Sequence, residues 1–228
     1  MTSTTQLRLG RADLALHRLS DSDSAGRPLL LLHGLGERSP EVVPPTVAEH
    51  WHGDVFSLDF LGHGASSRPR GGGYTAEQLM GDVDAALAEV GEATLLGRGI
   101  GAYIALLVAG ARADLVRGAI LADGPGMAGG GPSPSSPVVV AGSRVTAPED
   151  PDPFALAELA RDVRPPDYAV TFARLATTLS PLTTPVAVTA IARPDWLTAV
   201  LGEPGVQECK LAEALKMYAS EGQGTAIA

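Results

Sequence analysis

The segment from residue 93 to about residue 111 constrains the fold more than any other part of the chain. Its first six residues are mostly apolar and predict a short buried strand. A turn crowded with glycine follows, with Gly99 at its centre, and an amphipathic helix is predicted directly after the turn. A sharp turn from strand to helix presents its central residue at the carboxyl edge of a sheet. Here that residue is a glycine and has no side chain.

Apolar runs alternate with helical patterns along most of the chain. Buried strands are predicted at residues 28–32, 55–58, 116–122 and 185–191. Helices are predicted at residues 44–51, 155–163, 168–179 and 209–219, and one after Thr75 as its N-cap. A short strand is also predicted at 138–141. This alternation predicts an α/β fold with a mostly parallel twisted sheet flanked by helices, and residues 6–9 and 12–20 predict a hairpin at its edge.

Length and composition exclude several classes of function. The 228 residues fit one domain spanning residues 1–228, and a net charge of −9 with 4% aromatic residues disfavours nucleic-acid binding. The single cysteine, Cys209, excludes an internal disulfide and is predicted to be a small core residue of the terminal helix. The sequence has neither a secretory leader pattern nor an apolar run of about 20 residues. We therefore expect a cytoplasmic protein that binds neither nucleic acid nor membrane.

Three short blocks, each at the end of a predicted strand, resemble motifs of the α/β-hydrolase superfamily. His33-Gly34 is similar to its H-G oxyanion loop. The segment Asp59-x-x-Gly62-His63-Gly64-x-Ser66 is similar to its D-x-x-G-H-G-x-S turn. Gly97-x-Gly99-x-Gly101 lies where its G-x-S-x-G nucleophile elbow belongs. The resemblance implies an α/β-hydrolase fold with a small helical cap at residues 125–182, which includes a low-complexity stretch at 129–137.

The same resemblance implies a catalytic triad that this sequence lacks in two places. Gly99 stands at the nucleophile position, and no histidine follows His63, although the family's histidine comes last. Asp123 and Asp195 are the two candidates for the acid, and each could instead cap a turn. Serine-type catalysis needs both the hydroxyl and the imidazole, so we expect no catalytic residue at the usual positions.

The resemblance also implies that the backbone N–H groups of Leu35 and Ile100 form an oxyanion hole. Neither donor depends on the missing side chain, and the absence of a Cβ at Gly99 predicts open space above them. Arg98 either adds a guanidinium to this pocket or faces away and pairs with a surface carboxylate. The predicted ligand site comprises His33, Gly34, Leu35, Arg98, Gly99, Ile100 and Asp123.

The histidines near the predicted site have structural alternatives. His33 either lines the pocket or fixes its loop through hydrogen bonds to the backbone. Asp59 and His63 are predicted to hold their own turn together. His50 and His52 have no acid or cysteine at ligand spacing, so no metal site is expected.

These observations favour a pseudo-hydrolase that binds a small anionic or carbonyl-containing ligand, or a protein partner, without catalysis. One alternative is an active hydrolase that uses other residues on an ester or a related small molecule. Another is nicotinamide binding, because Gly97-x-Gly99-x-x-Ala102 fits the fingerprint G-x-G-x-x-G/A and Asp123 ends the next strand. The fingerprint usually opens a fold, whereas here more than 90 residues precede it. We therefore expect no cofactor.

Overall fold

One mixed sheet organises the computed structural model, which describes residues 3–22, 26–133 and 150–221. Within these ranges the sheet has eight strands. They are β1 (Ser3–Leu9), β2 (Ala12–Ser20), β3 (Leu29–Leu32), β4 (Val55–Leu58), β5 (Ala93–Arg98), β6 (Val116–Ala122), β7 (Val186–Val188) and β8 (Val206–Glu208). Their order across the sheet is β1-β2-β4-β3-β5-β6-β7-β8. The predicted fold class is confirmed.

The antiparallel part of the sheet is confined to one edge. A tight turn at Gly10 and Arg11 joins β1 to β2, and β2 also runs antiparallel to β4. From β4 to β8 all neighbours are parallel. All four leucines of β3 are buried, because helices cover both faces of a parallel sheet. The carboxyl ends of β3, β5 and β6 therefore lie side by side at one edge of the sheet.

Helices form a layer on each face of the sheet. In the described ranges they are α1 (Pro45–His50), α2 (Ala76–Val90), α3 (Ile100–Ala111), α4 (Pro153–Leu159), α5 (Pro166–Leu179), α6 (Asp195–Val200) and α7 (Leu211–Glu221). The larger core lies between the sheet and a layer that contains α2, α3, α5 and α6. A smaller core lies under α1 and α7 on the opposite face. The side chain of Thr75 caps α2 as predicted, accepting a hydrogen bond from the N–H of Gln78 at 3.2 Å.

Three details of the sequence prediction are wrong. Helix α3 is not amphipathic: it is buried along almost its whole length, because α2 and α5 cover the side that faces away from the sheet. Cys209 is half-buried and precedes α7 rather than lying on it, and its N–H extends the sheet by donating to the carbonyl of Val188. The short strand β8 was not predicted, because only three residues form it and they carry little apolar patterning.

Two helices lie in the range predicted as a cap. Helix α5 packs on α3 and α6, and its buried alanines belong to the main core. Helix α4 is tied to the loop before α2, where the Tyr74 hydroxyl donates to the Asp152 carboxylate at 2.7 Å. The predicted strand at 138–141 lies outside the described residues, and the cap boundaries at 125–182 stay a prediction. Within the described ranges, none of the helices combines the length and apolarity needed to span a lipid bilayer.

Candidate functional site

Gly99 forms the turn between β5 and α3 with a left-handed backbone. Its φ of 59° and ψ of −122° are strained for any residue with a side chain. A Cβ added here would lie 2.0 Å from the carbonyl oxygen of Pro125 and 2.6 Å from the carbonyl carbon of Gly124. The prediction of open space above Gly99 is therefore wrong. The backbone that follows β6 fills it, and only a glycine at residue 99 permits this approach.

The two predicted oxyanion donors converge on one acceptor. The N–H groups of Leu35 and Ile100 each donate to the carbonyl oxygen of Pro125 at 3.0 Å. The pairing of these donors, expected from the resemblance, is present in the structure. Their acceptor, however, belongs to the chain itself. A ligand oxygen at this point would have to replace the carbonyl of Pro125.

The loop that supplies this carbonyl is held by buried side chains. The Arg164 guanidinium donates to the carbonyl oxygens of Gly126 and Met127 and lies over the Tyr103 ring, 4.9 Å from its centre. Trp196 donates from Nε1 to the carbonyl of Met127 at 2.9 Å. Arg164 is almost fully buried, and burial lowers the pKa of its guanidinium to about 10. The contacts to the next two residues, Gly126 and Met127, thus hold the carbonyl of Pro125 in place.

Asp123 and Asp195 occupy different environments. Asp123 directly follows β6, and its carboxylate accepts hydrogen bonds from the N–H groups of Ile191 and Ala192 at 2.6 and 2.9 Å. It therefore caps the turn after β7, one of the two roles predicted for it. Asp195 is exposed in the first turn of α6, and it lies with Arg164 around a different, shallow cavity of about 170 Å³. The structure does not bring Asp195 to the elbow.

His33 fixes its loop through the backbone, as one of its two predicted roles requires. Its Nε2 accepts from the N–H of Phe60 at 3.1 Å, so the ring proton is on Nδ1 and is donated to the carbonyl of Gly34 at 2.8 Å. Burial and the neighbouring His63 ring lower the pKa of His33 to about 4. The imidazole is neutral at ordinary pH and both of its nitrogens are engaged.

Asp59 and His63 hold their turn, as predicted. The Asp59 carboxylate accepts from the N–H groups of Ser39 and Ala65 at 2.7 and 2.8 Å. His63 accepts from the N–H of Gly36 at 3.2 Å and donates to the carbonyl of Leu61 at 3.2 Å. These bonds tie the turn after β4 to the loop after β3.

A cavity of about 300 Å³ lies beside the elbow, where β3, β5 and β6 end. His33, Arg98 and Asp123 line it, so it collects three of the residues predicted for the ligand site. Most of its wall is apolar: Leu31, Leu32, Pro40, Pro44, Pro45, Val47, Leu96, Ala122 and Leu211. The cavity has the size and the mainly apolar lining typical of small-molecule sites.

Arg98 has the carboxylate partner of one predicted role without facing away from the cavity. Its guanidinium lines this cavity and also pairs with Glu37 at 3.0 Å. The second carboxylate oxygen of Glu37 accepts the N–H of Gly34 at 2.9 Å, which joins the pair to the oxyanion loop. Sequence reasoning identified Arg98 but missed both Glu37 and Pro125. For Pro125 the signal was its setting between Gly124 and Gly126 at the end of a buried strand, because such a segment can approach another backbone closely.

Comparison with solved structures places the fold among enzymes and uncharacterised proteins. Est1E from Butyrivibrio proteoclasticus, solved with ferulic acid bound, is 15% identical with a TM-score of 0.65 over 96% of this chain and 98% of its own. N-formylmaleamic acid deformylase from Pseudomonas putida is 15% identical with a TM-score of 0.64 over 96% of this chain and 100% of its own. A hypothetical protein from Pseudomonas aeruginosa is 17% identical with a TM-score of 0.63 over 95% and 96%. At these identities the similarity shows the fold alone.

The sequence itself carries the family assignment. A search of curated protein sequences finds no match. The sequence profile described as "Alpha/beta hydrolase family" matches residues 29–220, which include all three motif blocks, the elbow and the cavity beside it. The chain therefore belongs to the α/β-hydrolase family.

Proposed function

We propose that this chain is a pseudo-hydrolase: a member of the family that is non-catalytic at the family site and binds a small ligand beside it. One observation carries the proposal. The carbonyl oxygen of Pro125 takes the hydrogen bonds of Leu35 and Ile100, the two donors that would stabilise a substrate oxyanion.

The side chains around the elbow support the absence of catalysis. Residue 99 has no nucleophile, and no histidine follows His63 in the sequence. The rings of His33 and His63 are each hydrogen-bonded to backbone groups through both nitrogens. Burial lowers the pKa of both rings, and a buried ring with both nitrogens engaged is not available as a general base. Triad chemistry at this place has neither its nucleophile nor its base.

The cavity beside the elbow supports a ligand-binding role. It offers a mainly apolar wall and two arginines, Arg38 and Arg98, and Arg98 is half-exposed and paired with Glu37. An apolar molecule with a carboxylate or carbonyl oxygen would pack against this wall. Its oxygen would replace that of Glu37 as the partner of Arg98. We therefore assign the ligand to the class of small organic acids and carbonyl compounds, to which the ferulic acid bound by Est1E also belongs.

The test is calorimetric titration of ferulic acid, with acetate and inorganic phosphate as comparison anions, into wild type and two arginine variants. Arg98→Ala should weaken ferulate binding about tenfold or more, because it removes the cation that holds the acid. Arg8→Ala removes a similarly exposed ion pair on the hairpin and should leave binding unchanged. Equal binding by all three proteins, or no binding of any anion, would contradict the ligand site.

Ester turnover tests the non-catalytic half of the proposal separately. We expect any hydrolysis of p-nitrophenyl butyrate to be the same in wild type and in Asp123→Asn, because Asp123 bonds a turn and touches no reacting group. Saturable turnover that is lost in Asp123→Asn would instead support an active hydrolase with non-standard residues.

Two predicted functions receive less support. For nicotinamide binding, the N–H of Ile100 at the start of α3 would have to donate to a phosphate oxygen, and it already donates to Pro125. A protein partner stays a prediction.

A further inference from the structure

A hydroxyl, an imidazole and a carboxylate meet at the antiparallel edge of the sheet, away from the elbow. The turn between β1 and β2 pairs Thr4 directly with His17, so both side chains lie on one face. The pairing of β2 with β4 sets His17 opposite Ser57, and Asp59 comes two residues later on the same face. The strand register thus brings three distant parts of the sequence together.

The three side chains form a continuous chain of hydrogen bonds. The distance from Thr4 Oγ1 to His17 Nδ1 is 2.8 Å, and the distance from His17 Nε2 to Asp59 Oδ2 is 3.1 Å. Burial tends to raise the pKa of Asp59, but hydrogen bonds from His17, Ala65 and Ser39 outweigh it and lower that pKa well below its ordinary range. Asp59 is therefore an ionised acceptor, which keeps the imidazole proton on Nε2. Nδ1 is then free to accept the proton of the Thr4 hydroxyl.

The chain of hydrogen bonds faces open space. A cavity of about 690 Å³ is lined by Thr4, His17 and Asp59 together. Leu19, Pro40 and Val42 give it an apolar side, and Arg38 and Glu41, which form an ion pair at 3.7 Å, also line it. Thr4 is exposed on an edge strand, so a small molecule can reach its hydroxyl. No comparable opening lies above Gly99, where the chain's own backbone fills the space.

We infer that Thr4 is a second, nucleophilic site of this protein, which takes an acyl group from an activated ester of a small acid. The Thr4 oxygen forms a bond to the acyl carbon while His17 Nδ1 accepts its proton. The ester C–O bond breaks, and His17 returns that proton to the leaving oxygen. Water can then attack the acyl-threonine with His17 again as base, which releases the acid and restores the hydroxyl. This inference goes beyond the proposed function and does not depend on it.

The experiment is acetylation by p-nitrophenyl acetate, followed by release of p-nitrophenolate and by peptide mass spectrometry. We expect an acetyl group on the hydroxyl of residue 4 in wild type and in Thr4→Ser. Thr4→Val keeps the branched shape on an exposed strand and should remove the label, whereas Thr5→Val, at the next and equally exposed position, should not. His17→Ala should slow acetylation of Thr4 about 100-fold or more, which is the usual loss when a general base is removed.

The outcomes separate this inference from the proposed function. A label confined to lysines and the terminal amine, or an unchanged rate of Thr4 acetylation in His17→Ala, would overturn it. Arg98→Ala and Asp123→Asn test only the family site and should leave acetylation of Thr4 unchanged. If either variant abolishes ester turnover while Thr4→Val does not, both the non-catalytic proposal and this inference are wrong.

Discussion

Two regions of the same sheet hold different groups that acyl-transfer chemistry uses: one holds backbone hydrogen-bond donors, and the other holds reactive side chains. At the elbow after β5, the N–H groups of Leu35 and Ile100 converge on the carbonyl of Pro125, and residue 99 is a glycine without a reactive side chain. At the hairpin edge, a hydroxyl, an imidazole and a carboxylate are bonded in series beside a cavity. The elbow has the backbone half of an active site, and the edge has the side-chain half.

The comparison shows that one sheet can position backbone donors at one place and reactive side chains at another. Gly99 carries no reactive group and also admits the backbone of Gly124 and Pro125. The absence of a side chain at residue 99 therefore accounts both for the lack of a hydroxyl there and for the close approach of the Pro125 carbonyl. At the edge, the strand register brings three side chains together, and one of them also depends on a glycine, because a Cβ at Gly64 would lie 2.1 Å from a carboxylate oxygen of Asp59.

The largest expected effect is a loss of stability when the close contact between Gly99 and Pro125 is disturbed. Gly99→Ala places a Cβ 2.0 Å from the carbonyl oxygen of Pro125 on a backbone that is already left-handed. We expect a loss of about 4 kcal/mol or more in the free energy of unfolding, measured with urea. Gly99→Ser should suffer the same loss and gain no esterase activity.

Gly10→Ala is the matched control for that prediction. Gly10 has nearly the same φ, 61°, but nothing lies within 4 Å of an added Cβ. Only backbone strain should act there, at about 1 kcal/mol. Equal losses in the two variants would show that Pro125 does not close the elbow.

The next effect concerns pH and the buried His33. Because burial lowers its pKa to about 4, the unfolded chain takes up a proton between about pH 6.5 and pH 4 while the folded chain does not. The contribution of His33 to stability is complete above about pH 6.5 and is lost as the pH falls toward 4, by about 3 kcal/mol. NMR titration of its ring should show a neutral imidazole at pH 5.5.

The pH dependence of stability that is due to His33 is separated from that of other groups by comparing wild type with His33→Gln. Asp82 acts in the opposite direction over the same window, because burial raises its pKa to about 7. The difference between wild type and His33→Gln, measured by urea unfolding at pH 4.5 and pH 7, isolates the histidine. A His33 ring that titrates near its ordinary pKa would refute the buried environment assigned to that ring.

The smallest effect separates the two candidate acids. Asp123→Ala leaves the N–H groups of Ile191 and Ala192 without their acceptor at the protein surface, so we expect a loss of about 1 kcal/mol in unfolding free energy. Asp195→Ala should cost about 0.5 kcal/mol, because it removes only a favourable charge from the first turn of α6. Thermal unfolding of both variants checks the order. The reverse order would mean that Asp195, not Asp123, is the anchored carboxylate.

Much of the fold could be predicted because its signals are local. The apolar runs of β3 and β6, the cap at Thr75 and the glycine turn at residue 99 each reveal an element without reference to the rest of the chain. The site was predicted only in part. His33 and Arg98 were identified through neighbouring motifs, whereas Glu37 was not, because its contacts with Arg98 and Gly34 depend on how two loops meet.

The sequence alone specifies which groups this protein has: a glycine at the nucleophile position of the family, two backbone donors, and a hairpin predicted at residues 6–9 and 12–20. Only the tertiary structure decided what those groups face. Whether Ile100 donates to a ligand or to Pro125 depends on packing between segments joined through α3 and β6, and whether His17 meets Asp59 depends on the pairing of β2 with β4. Side-chain chemistry is local, whereas the partner of each group is set by long-range packing, which no short motif encodes.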